Sequence, residues 1–157
     1  MSPFLGEFSG TALLIIMGSG VVANVLLTNT KGQNSGWIVI TFGWAMAVFL
    51  GVYASTTLGG SGHLNPDITI ALSVFGDFDS SLLLTYIAAQ FSGAIVGASI
   101  AWLAYKQHFD ATTDKDLKMA VFCNSPAIRN VGYNLITEII GTFVLTFGAL
   151  AMSQPSS

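Results

Sequence analysis

The sequence predicts an all-α integral membrane protein, on three observations. Charged residues make up 8% of the 157-residue chain and hydrophobic residues 52%, whereas soluble domains are about 25% charged. Four apolar stretches, 4–27, 37–55, 81–105 and 131–152, come close to or exceed the roughly 20 residues that carry a helix across a bilayer. Between the second and third lies 59–72, GGSGHLNPDITIAL, with Ser, His, Asn, Pro and Asp set where hydrocarbon is expected. Polar, non-helical backbone persists at that depth only where it is buried in protein or lines a wet cavity.

The first span carries a single acid, Glu7, with Gly6 and Gly10 in GxxxG spacing and Gly18 further along the same side. Small residues so spaced let helices approach closely. The first Lys or Arg is Lys31, after the apolar run, so the basic start of a signal peptide is missing and the span is expected to be retained. A polar turn, 28–36, leads to the second span, where Trp37 suits an interface anchor and Gly43, Ala47, Gly51 and Ser55 recur at i, i+4 as a second ridge.

In the central stretch Asn65 reads as an N-cap and Pro66 as the first helical residue. The helix that follows, 66–75, has only about two and a half turns at 3.6 residues each. It is too short to span and is expected to enter the membrane from one side, amino end first. The third span has Ala89, Gly93, Gly97 and Ala101 as its ridge, and Gln90 as a polar group that needs a partner inside the bundle. A polar segment, 106–129, holds four of the five basic residues, and His108 within it reads as an ordinary loop residue. The last span is 131–152.

Glu7-x-x-Gly10-Thr11 recurs as Glu138-x-x-Gly141-Thr142, 131 residues later. An odd number of spans, three, precedes the second copy, so the two halves are expected to be inverted in the membrane. The predicted organisation is a first repeat over about 1–105, a connecting loop over 106–130, and the start of an inverted second repeat over 131–152. A second counterpart of Asn65-Pro66 would fall beyond residue 157, so the chain reads as one half plus one span.

Several function classes find no support. There is no basic patch for nucleic acid, and no nucleophile–base pair for an enzyme. Cys123 is the only cysteine, which forbids an intramolecular disulfide. His63 has no Cys or carboxylate ligands at metal-site spacing, so neither metal nor cofactor is expected. Two acids in the spans could suggest a proton relay, but no basic or His partner lies within the spans.

With E-x-x-G-T on the first span, H-L-N-P opening the short helix, A-A-Q-F-S-G-A on the third span and E-x-x-G-T again on the last, the chain resembles the aquaporin superfamily (major intrinsic proteins), in particular its glycerol-facilitator branch. The resemblance implies an aquaporin-like bundle of six spans and two half-helices. Four of those spans and one half-helix are present here. It implies a passive, single-file channel in the cell membrane for glycerol, with water, small polyols or urea as further permeants, and a homotetramer in lipid. Gly62, His63, Leu64, Asn65, Pro66 and Asp67 would line or shape the pore, and the carbonyls of 60–64 would form a ladder of acceptors. Trp44 would be the selectivity aromatic; Phe42 is the competing position and would suggest a water-selective channel. Glu7, Gln90 and Glu138 would support the pore loops. A non-conducting fragment, or a half-channel needing a complementary half, is the other reading.

Three features depart from the family pattern. Asp67 stands where the family motif has Ala, putting a carboxylate near the midplane at about 2.5–3.5 kcal/mol on insertion scales. The loop has no residue between Gly62 and His63, where the family usually has one. The family orientation would also place all five basic residues outside, against the positive-inside rule.

Overall fold

The computed structural model describes residues 2–152. It contains α1 (Pro3–Leu26), α2 (Trp37–Thr57), α3 (Pro66–Phe75), a 3₁₀ turn (Ser80–Leu82), α4 (Leu83–Ala104), α5 (Lys106–Ala111), α6 (Lys115–Ala120) and α7 (Val131–Met152). No strand occurs among the described residues, and four helices are long and apolar enough to cross a membrane.

The ends of these helices follow from local chemistry. Ser2 caps α1, its hydroxyl accepting from Leu5 N at 3.2 Å, with Pro3 at the first position. Asp79 caps the 3₁₀ turn by accepting from Ser81 N at 2.9 Å, and that bond holds its carboxyl below the usual carboxylate range. Asn65 caps α3 with Pro66 next, as the dipeptide predicts.

α1 is the central helix and packs against both α2 and α4. Small residues set the distances. A Cβ added to Gly18 would lie 2.5 Å from the Trp44 ring, and one added to Gly97 would lie 2.6 Å from the Ala12 carbonyl oxygen. Ala47, Ser55 and Ala89 are fully buried and Ala101 nearly so. All three predicted ridges therefore face a neighbouring helix. Away from α1, Phe42, Phe49, Leu84 and Ile95 are among the exposed large apolar side chains, as suits surfaces turned to lipid.

Two features differ from the sequence expectation. The 106–129 segment is not simply a polar loop. It contains α5 and α6, and its Phe109 and Val121 join Val22, Val25, Leu27 and Ile40 in one buried cluster. His108 likewise does more than sit in a loop. Its Nδ1 lies 3.0 Å from the Thr28 carbonyl oxygen, while Thr28 N donates to Thr112 Oγ1 at 2.9 Å. The connector is thereby fastened to the turn after α1, which puts the two loops on the same side of the bundle. α7 stands apart. It packs against α3, and none of its residues is buried.

Candidate functional site

The site is the stretch between α2 and α3 and the cavity it faces. Gly59 and Gly62 have φ of 94° and 74°, and Leu64 has φ of 54°. The left-handed region costs an L-residue roughly 1–2 kcal/mol, so Leu64 needs compensation. Its side chain fills a notch between α1 and α2 made by two glycines. A Cβ on Gly10 would come within 2.6 Å of Leu64 Cδ2, and one on Gly51 within 2.9 Å of Cδ1. Leu64 is 7% exposed in that notch, and the burial offsets the backbone strain.

Glu7 gathers the amides of this stretch. Its Oε1 accepts from Ser55 Oγ at 2.9 Å, Gly62 N at 2.9 Å and His63 N at 3.1 Å. Its Oε2 accepts from Leu64 N at 2.8 Å and Gln90 Nε2 at 2.9 Å. Glu7 is fully buried and no cation pairs with it among the described residues. Five donors take the place of a counter-ion.

A second layer holds α3. Thr69 Oγ1 donates to the Asn65 carbonyl at 3.0 Å and accepts from Gln90 Nε2 at 2.9 Å. His63 Nδ1 lies 3.2 Å from the same oxygen. The single hydroxyl proton is committed to Asn65, so the His63 ring must donate from Nδ1. The ring is wedged between Phe78 and Tyr86, with centroids 4.7 and 4.9 Å away. His63 therefore clamps the loop to α3 and α4.

With the amides of Gly62, His63 and Leu64 turned towards Glu7, the carbonyls of 60–64 are left over. None of them accepts a hydrogen bond among the described residues. Asn65 Oδ1 accepts from Asp67 N at 2.8 Å, which leaves the two Nδ2 protons free to donate. Ser61, Gly62, His63, Leu64, Asn65 and Pro66 all line one cavity of about 1150 Å³, whose apolar wall includes Trp44, Val48 and Val52. The cavity has unpaired acceptors and donors on one side and hydrocarbon on the other. Such a surface suits a small neutral molecule with hydroxyls along one edge.

Of the two aromatic candidates, Trp44 lines this cavity, whereas Phe42 is 69% exposed and does not. Asp67 is exposed beside the cavity rather than among its lining residues, and its carboxylate has no partner among the described residues. Glu7 and Gln90 meet directly. Glu138 lies exposed on α7, and its side chain takes no hydrogen bond among the described residues. Thr69, Tyr86, Ser55 and Phe78 take part in the site beyond what the sequence suggests for it, as does the left-handed φ of Leu64. Thr69 lies four residues after Asn65, one helical turn, which is a readable signal. Tyr86 and the Leu64 twist come only from tertiary packing. Among the described residues no group of three or more His, Cys, Asp or Glu could hold a metal.

A family model described as major intrinsic protein matches residues 1–157. A probable glycerol uptake facilitator protein of Thermotoga maritima is 53% identical over 152 residues, covering 97% of this chain and 64% of the relative. Glycerol uptake facilitator proteins of Bacillus subtilis and Lactiplantibacillus plantarum are 47% and 45% identical, covering 97% and 96% of this chain and 55% and 62% of each relative. The chain thus spans a little over half to just under two thirds of the length of these curated relatives, whose names are those of transporters rather than enzymes. With the whole of its length matched and four helices long and apolar enough to cross a membrane, the chain belongs to the major intrinsic protein family, whose members pass through the membrane several times.

Proposed function

We propose that this chain forms the first part of a passive channel for glycerol and other small neutral solutes, water among them. One observation supports this above the rest. The inward pull of Glu7 on the amides of residues 62–64 leaves a row of free carbonyls, ending at Asn65, along a cavity whose far wall is Trp44, Val48 and Val52. A polyol needs acceptors and donors for its hydroxyls and an apolar face for its carbons, and this cavity offers both. The amino end of α3 adds roughly half a positive charge directed at the passage, which disfavours cations and protons while leaving neutral solutes unaffected. The names of the relatives point to glycerol.

In this reading Trp44 sets the width of the passage, and 62–66 line it. Glu7 and Gln90 hold the loop, and Asp67 weakens the cation barrier. The repeat of Glu7-x-x-Gly10-Thr11 at Glu138-x-x-Gly141-Thr142 supports a two-repeat architecture, with residues 1–105 as the first repeat and α7 opening an inverted second. α7 contributes Val144, Leu145 and Gly148 to the cavity wall, while none of its residues is buried. A tetramer, as the family resemblance implies, is part of the proposal.

The test is osmotic. Proteoliposomes carrying the full-length protein are mixed with excess glycerol, and light scattering follows their volume. Shrinkage followed by rapid reswelling supports a glycerol channel. Shrinkage without reswelling, but at an accelerated rate, supports a water-selective one. Traces identical to empty liposomes defeat the channel reading. The 157-residue chain measured alone separates a half-channel from a piece that needs its complement.

A further inference from the structure

Two polar side-chain atoms are buried without a hydrogen-bond partner among the described residues: Thr11 Oγ1 and Gln90 Oε1. Thr11 is 3% exposed and Gln90 2%, and both residues belong to the wall of the cavity that Asn65 lines. Neither orphan is an accident of atom assignment. Gln90 Nε2 donates to Glu7 Oε2 and to Thr69 Oγ1. A flipped amide would set its oxygen against an acceptor-only carboxylate, so Oε1 must be the atom left over. Thr11 sits one turn after Glu7 on the same face of α1, yet its hydroxyl makes no bond back to the helix, as Thr41, Ser92 and Ser99 do on theirs.

The two orphans are complementary. Gln90 Oε1 needs a donor, and the Thr11 hydroxyl has a proton to give. Leaving both unmet costs about 1–3 kcal/mol per group, and buried water typically settles where two to four such groups converge. We propose that Thr11 and Gln90 form a hydroxyl-binding station in the α1–α4 wall: a hydroxyl group donates to Gln90 Oε1 while its oxygen accepts from Thr11 Oγ1. Water and a polyol share that chemistry. The station fixes the Gln90 amide from behind and keeps its Nε2 on Glu7, so loop support and wall hydration are coupled. The inference stands on the unpaired atoms; only a polyol as occupant rests on the glycerol reading.

The full-length protein in lipid nanodiscs is solved at a resolution that shows single waters, once in glycerol-free buffer and once in glycerol. The expected result is an oxygen within about 2.7–3.2 Å of both atoms. Isolated density in both maps identifies water as the occupant, and density that extends into a carbon chain only with glycerol identifies a polyol. Thr11→Ser keeps the occupant, and Thr11→Val loses it with the fold intact by near-unchanged thermal melting. Three results overturn the proposal: a direct Thr11–Gln90 bond with nothing between, a protein amide from another segment on Gln90 Oε1, or unchanged density in Thr11→Val. The density is read without reference to transport, so a protein that fails to pass glycerol would still show whether the station is filled.

Discussion

Replacing Glu7 by Gln tests the organisation of the site with the least change in shape. The wild-type carboxylate accepts three hydrogen bonds at Oε1 and two at Oε2. The amide keeps one acceptor, best used at the Oε1 position, where it still serves Ser55, Gly62 and His63. Its NH₂ then faces two donors, Leu64 N and Gln90 Nε2, and both are buried. The opposite flip is worse, since it sets the NH₂ against three donors. Two unmet buried donors amount to about 2–6 kcal/mol at 1–3 each. Hydrogen bonds in membrane proteins measure smaller, about 0.6 kcal/mol on average, because the unfolded chain in lipid also finds partners. The expected loss is therefore at the low end, about 2 kcal/mol, or roughly thirtyfold in an opening equilibrium. Hydrogen exchange on full-length protein in nanodiscs reads this at the loop, where the Leu64 amide should lose protection roughly thirtyfold while amides in the middle of α4 keep theirs. Unchanged Leu64 protection in the variant, with an unchanged melting temperature, would refute the view that Glu7 holds the loop.

Trp44→Ala widens the passage at the aromatic wall and should relax discrimination against longer polyols by about tenfold, since pocket apolar contacts are worth about 1–3 kcal/mol; Phe42→Ala, at an exposed position, serves as the control, and equal swelling rates in both would remove Trp44 from the filter. Asp67→Ala should raise glycerol flux and lower cation leak, because the unpartnered carboxylate offsets the positive end of α3; no difference in either flux would end that role. Gly97→Leu drives a side chain into the Ala12 carbonyl and should destabilise α1–α4 packing by about 1–3 kcal/mol, read as earlier thermal unfolding in detergent. The exposed Cys123 should react with a membrane-impermeant maleimide from outside intact cells if the family orientation holds over the positive-inside rule, and labelling only after permeabilisation would reverse it.

The parts of the fold that are legible in the sequence are those whose physics is local. Asn65-Pro66 announces a helix start because capping and the fixed proline φ act within one turn. The three ridges can be read because i, i+4 spacing puts small residues on one face before any partner is known. Gln90 can be recognised as needing a partner, but that Glu7, 83 residues earlier, supplies it cannot be read from spacing. Leu64 is out of reach for a different reason. Nothing in its identity suggests φ of 54°, and the conformation persists because Gly10 and Gly51 open a notch for its side chain. α5 and α6 escape because each is six residues long, too short for a helical period to register against a polar background.

The two copies of E-x-x-G-T separate what a helix supplies from what its neighbours supply. Glu7 is fully buried and Gly10 is packed against Leu64, Gly51 and Ser55. Glu138 is exposed, and a Cβ on Gly141 would meet nothing within 4 Å. The same local sequence thus has opposite surroundings, so the burial of Glu7 comes from what packs against α1, namely α2 through Ser55, α4 through Gln90 and the 62–64 loop, and not from α1 itself. Acid and loop are mutually dependent. Without the carboxylate the His63 and Leu64 amides would be unsatisfied and Gly62 N would keep only Ser55 Oγ at 3.2 Å, and the carboxylate would stand uncompensated in the membrane, at several kcal/mol, without the amides. In the two-repeat architecture proposed for this family member, the same dependence acts on α7. A chain segment that covers Glu138 must bring several converging N–H donors and no competing acceptor, and a second loop descending to a capped half-helix has that chemistry.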